Sequence, residues 1–92
     1  GDVYKRQGTN AVGIQLDSGS SIKIEDGATV NGSTNGGSIV GSMRSTIEIA
    51  TGSTVSSPIW CGSDGRTMVI APGLTDNSSS LTVGNTCIKV SR

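Results

Sequence analysis

The chain has no histidine and no phenylalanine, and only one tryptophan and one tyrosine among its 92 residues. Without histidine there is no Ser-His-Asp triad, no common zinc site and no imidazole general base. With only these two aromatics, a compact two-sheet sandwich lacks most of the side chains that usually anchor its core. Ile, Val and Leu must carry the burial alone, which suits a narrow interior of stacked aliphatic side chains. Seven basic residues against seven acidic ones form no block of either sign. Nucleic-acid binding needs clustered Lys and Arg, with stacking aromatics for single strands, so that class is excluded. No apolar run approaches the length that spans a bilayer, and no secretory leader is recognisable. At this length the chain makes at most one domain, with a small core for its surface.

What is present is glycine, serine, threonine and asparagine, with 14 glycines and only 2 prolines. That composition favours short strands joined by turns. The first seven residues, GDVYKRQ, differ from everything after them and resemble a translated adapter remnant at the end of a metagenomic reading frame. We set residues 1–7 aside as a non-native or disordered scar and take 8–92 as the folding unit. Setting aside Asp2, Lys5 and Arg6 leaves five basic and six acidic residues. The missing initiator Met and the lack of any terminal cap lead us to expect a piece of a longer protein.

An internal repeat organises the rest. Residues 13–33 and 38–58 align at an offset of 25, which superposes Ile14 on Ile39, Ile22 on Ile47 and Ile24 on Ile49. The same offset superposes Gly27 on Gly52, Thr29 on Thr54 and Val30 on Val55. A third copy follows at an offset of 21, with Trp60, Met68, Ile70, Gly73 and Thr75 on Ile39, Ile47, Ile49, Gly52 and Thr54. A partial fourth copy sets Ile88 and Val90 below Met68 and Ile70, preceded by Leu81 and Val83. Inside each copy the apolar residues recur every second position, the period of a strand with one buried face. Glycines 27, 52 and 73 mark corners that need positive φ or close backbone approach. Each coil then holds about three short strands and one longer polar turn, such as 31–37. The expected fold is all-β, a parallel β-solenoid of about three and a half coils of 20–25 residues. On this register Lys23 and Glu48 stack outward, an exposed pair contributing less than about 1 kcal/mol. Thr29, Thr54 and Thr75 form an outward ladder, and the strand ends before Asp76, whose carboxylate is costly inside.

The run Ile-x-Ile-x-x-Gly-Ala-Thr-Val-x-Gly over 22–32, followed by Asn35-Gly36-Gly37-Ser38-Ile39, resembles the coils of right-handed β-helix surface proteins. These are the adhesins and autotransporter-like passengers of bacteria, and the resemblance covers roughly residues 11–90. It implies a secreted or cell-surface rod used for adhesion or display, with carbohydrate or a host or cell-surface protein as partner. It transfers no catalytic residue. The chain departs from the pattern in its variable coil length and in Trp60 at an inward position.

Candidate sites are few. Asp17 stacks over Ser42, Glu25 over Ala50 and Asp26 over Thr51, so no acidic pair lines up between coils. The loop residues Asp64 and Asp76 are the place where a carboxylate pair at glycosidase separation could arise. We expect no catalytic, cofactor or metal residue within the chain. Gly62-Ser63-Asp64-Gly65 resembles a calcium loop but lacks its acidic spacing, and we read it as a turn. The threonine ladder has the look of an ice-binding array, yet a single column is better read as β-propensity. Asn31-Gly32-Ser33 and Asn77-Ser78-Ser79 match glycosylation acceptors, a pattern that arises readily in such a composition. Cys61 and Cys87 lie near one coil apart, which invites a disulfide in an extracellular chain. The offset of 21 instead sets Cys87 beside Arg66, so the expectation is two free, half-buried thiols. Trp60 is expected to fill the third coil's interior beside Met68; the functional alternative is an exposed carbohydrate-stacking residue.

The expected function is a non-catalytic structural or adhesive segment, extracellular or on the cell surface. The rival from another class is a polysaccharide-processing β-helix, a lyase or glycoside hydrolase whose active coils lie elsewhere. A small antiparallel sandwich is a third option that the 25-residue repeat disfavours. The isolated chain is expected to self-associate through its uncapped ends.

Overall fold

A computed structural model describes residues 13–72 and 81–91. Nine strands run in chain order: β1 (Ile14–Leu16), β2 (Ser21–Ile24), β3 (Thr29–Val30), β4 (Ile39–Gly41), β5 (Thr46–Ile49), β6 (Thr54–Val55), β7 (Ile59–Cys61), β8 (Met68–Ala71) and β9 (Ile88–Ser91). They stack into three parallel sheets, ordered β1-β4-β7, β2-β5-β8-β9 and β3-β6. A parallel bridge from Ile59 to Val83 extends the first sheet by one residue. The chain is therefore a β-solenoid of about three turns, as its repeat requires.

The first two coils hold the register expected at an offset of 25. Ile14 pairs with Ile39, Ile22 with Ile47, Ile24 with Ile49, Thr29 with Thr54 and Val30 with Val55. Lys23 and Glu48 are partners on adjacent strands, and both point away from the core. Gly27 and Gly52 turn their corners at φ +84° and +87°, where a β-carbon would be strained. Gly73, Thr75, Asp76 and Asn77 lie outside the described residues.

The third coil differs from expectation. Its offset is 20 in the first sheet, where Ile39 pairs with Ile59, and 22 in the second, where Ile47 pairs with Val69. Trp60 therefore pairs with Val40, Met68 with Thr46 and Ile70 with Glu48. Each is one residue from its expected partner, and one residue turns a strand side chain to the opposite face. The cause is in the turns. The link from β3 to β4 spans eight residues and that from β6 to β7 only three, while the link from β7 to β8 is two residues longer than that from β4 to β5. A single offset averages over these changes and lands between the two true registers.

The interior is a column of aliphatic side chains. Ile39, Ile47, Ile59 and Val69 are wholly buried, joined by Ile14, Leu16, Ile24, Val30, Ile49 and Ala71. Small polar residues close the corner before the second sheet: Ser45 and Thr67 are wholly buried and donate to the same acceptor, the Ser42 carbonyl, at 2.6 and 2.8 Å. At the corner before the first sheet, Ser38 Oγ donates to the Val30 carbonyl and accepts from the Ser57 amide. No buried side-chain polar atom among the described residues lacks a partner, which is the condition for hydroxyls inside a core. On the last coil Ile88 and Val90 do lie on Met68 and Ile70, as expected. The interior row passes through Val69, however, so Lys89 and Ser91 take the inward positions and Ile88 is largely exposed.

Candidate functional site

Two features distinguish the third coil, and both follow from its shifted register. The first is a disulfide between Cys61 and Cys87, with Cα atoms 5.2 Å apart. The expectation of free thiols is thus corrected. Cys61 ends β7, and the chain then takes six residues to reach β8. The fourth coil goes from its Val83 bridge to β9 through only four residues, 84–87, and cuts the same corner short. Cys87 thereby stops above Cys61, and Thr86 Oγ1 donates to the Cys61 carbonyl at 3.0 Å. Cys87 itself is buried within the core cluster. A spacing of 26 residues was the signal in the sequence; the unequal links, invisible to a single offset, made it unreadable.

The second feature is Trp60. It occupies the outward row of the first sheet, in register with Val40 and, beyond it, Gln15. It is 36% exposed and does not fill the interior. Two glycines explain how it lies. A β-carbon at Gly37 would fall 2.6 Å from Trp60 Cδ1, and one at Gly84 would fall 2.8 Å from Cε3. The pyrrole side of the indole thus rests on the backbone entering β4, and its benzo side on the backbone that follows the Val83 bridge. Gly37 also has φ +89°, a second reason for glycine there. The ring spans neighbouring coils, and no side chain at either glycine lifts it from the sheet. Exposed polar residues stand nearby in chain and row: Thr82 two residues before Gly84, Asn85 directly after it, and Gln15 in the row of Trp60 beyond Val40.

The remaining candidates resolve simply. The segment 62–65 is a turn: Asp64 Oδ1 accepts from the Arg66 amide at 3.1 Å, and Gly65 has φ +70°. Asp64 is exposed, while its proposed partner Asp76 lies outside the described residues. Asn31 is exposed, and its side-chain oxygen accepts from Ser56 Oγ at 2.7 Å. Among the described residues no three His, Cys, Asp or Glu side chains gather as a metal site would require. Nor is any helix among them long and apolar enough to cross a membrane.

The fold places the chain among the parallel β-solenoids. Comparison with protein families, with curated proteins and with solved structures finds no match.

Proposed function

We propose that the chain is a non-catalytic structural and adhesive segment of an extracellular or cell-surface microbial protein, akin to the β-helical adhesins and autotransporter passengers of bacteria. The observation that carries the reading is the coil-to-coil ladder. Strands stay in parallel register across all three sheets, while length changes are confined to the turns. A backbone ladder of this kind forms a stiff rod, and variable turns present differing surfaces along it. The disulfide supports an oxidising compartment. Among the described residues the exposed carboxylates of the turns are dispersed, unlike those a polysaccharide-processing site would gather: Asp17 and Asp64 stand on separate turns, and Glu25 and Asp26 share a third.

The test is to incubate the fluorescently labelled 92-residue chain with insoluble polysaccharides and with host or microbial cell surfaces. Bound label and released reducing ends are measured together. Retention on at least one surface without release of reducing ends is the expected result. Release of reducing ends overturns the non-catalytic reading, and failure to bind any surface overturns the adhesive one.

A further inference from the structure

We infer that Trp60 is a stacking platform for the apolar face of a neutral pyranose in an extended glycan. The inference rests on the adhesive reading and names the chemical class of ligand that such a segment would hold.

An exposed tryptophan is costly to display, because its large apolar surface gains most when it is buried. Here the display is built into the backbone. Gly37 and Gly84, on either side of the indole, both lack the β-carbon that would clash with it. The ring lies across the strands, its two edges over Gly37 and Gly84, and 36% of the residue stays exposed. An open aromatic face carries negative charge density. The axial C–H groups of a pyranose offer a flat apolar surface with partial positive charge, and match it in size and sign.

The surroundings favour a sugar over a protein partner. Exposed Thr82, Asn85 and Gln15 supply hydroxyl and amide groups of the kind that bond sugar hydroxyls. The other large exposed apolar side chains, Met43 and Ile88, lie on the turn after β4 and in the second sheet. They do not enlarge the patch to the roughly 800 Å² per partner that a stable protein interface covers. None of these three polar residues is charged, which fits a neutral glycan better than a uronic acid polymer.

Trp60 is the only tryptophan in the chain, so its emission reports on this position alone. The experiment titrates the 92-residue chain, excited where tyrosine does not absorb, with hexamers of cellulose, xylan, mannan and chitin. The expected result is a saturable change in intensity or wavelength with at least one of them. Trp60→Ala, followed by calorimetry, should weaken that binding about tenfold or more, and Trp60→Phe should retain part of it. Gly84→Ala should weaken binding while leaving the tryptophan in place, because its methyl tilts the ring. Absence of any emission change, in a chain whose circular dichroism and disulfide report the native fold, overturns the platform. So does glycan binding that survives Trp60→Ala undiminished. Either failure leaves the adhesive reading standing if the labelled chain still binds cell surfaces, so the two are separable.

Discussion

At the scale of single residues, the left-handed corners give the sharpest tests. Gly19, Arg44 and Gly65 all turn the corner between the first and second sheets, at φ +75°, +61° and +70°. Arg44 is the one non-glycine residue with positive φ among the described residues, and an L side chain there costs about 1–2 kcal/mol. Glycine's greater freedom in the unfolded chain offsets part of the relief. Arg44→Gly should therefore stabilise the chain by about 0.5–1 kcal/mol in urea denaturation. The reciprocal change, Gly27→Ala, meets no atom within 4 Å and should destabilise through backbone strain alone, by about 1 kcal/mol. A second pair tests the third-coil register. Val69 is wholly buried and Met68 only partly, so Val69→Ala should cost about 2 kcal/mol or more. Met68→Ala should cost clearly less, although it removes more atoms. The opposite ranking would restore the register that aligns Met68 with Ile47.

At the scale of elements, legibility depends on whether links keep their length. The alternation in Ser21–Ile24 and Thr46–Ile49, with glycine three residues on, is a local signal, and the first two coils are readable because their links match. The third coil is not, since five residues leave one turn and two enter another. Nothing local in Ile59–Cys61 says which of Ile59 and Trp60 points inward; the glycine seats that settle the tryptophan lie 23 and 24 residues away in sequence. The disulfide was hidden by the same shift. It closes a 26-residue separation, for which chain entropy gives about 3.5 kcal/mol of stabilisation. Reduction, or Cys61→Ser with Cys87→Ser, should lower the urea midpoint accordingly and loosen the fourth coil first. Hydrogen exchange should show faster loss of protection in Ile88–Ser91 than in Thr46–Ile49. Uniform loss across both would mean that the bridge holds the whole solenoid and not its last coil.

At the scale of the whole molecule, the two ends are chemically unlike, and that decides how copies associate. The first coil opens on a cavity of about 280 Å³ lined in part by Ile14, Ile22, Ile24, Ala28 and Val30. Its strands β1, β2 and β3 are each the edge of their sheet among the described residues. Unpaired backbone beside an apolar mouth is a template for pairing with another chain. The last coil instead carries Lys89 and Ser91 on the rows continuing from Val69 and Ala71. A head-to-tail stack would set Lys89 and Ser91 against the apolar mouth of the next copy, which buries less apolar surface than two such mouths facing each other. Head-to-head contact avoids this and closes on itself, so the isolated chain should form a two-fold dimer and not an open filament. Light scattering should show mass rising from monomer to dimer with concentration and then levelling. Ile22→Lys, at a half-buried position of the edge strand, should return it to monomer with little loss of fold. Growth beyond the dimer would mean that the Lys89 end also accepts a coil. A monomer that persists at high concentration would mean that the mouth is already closed within the chain.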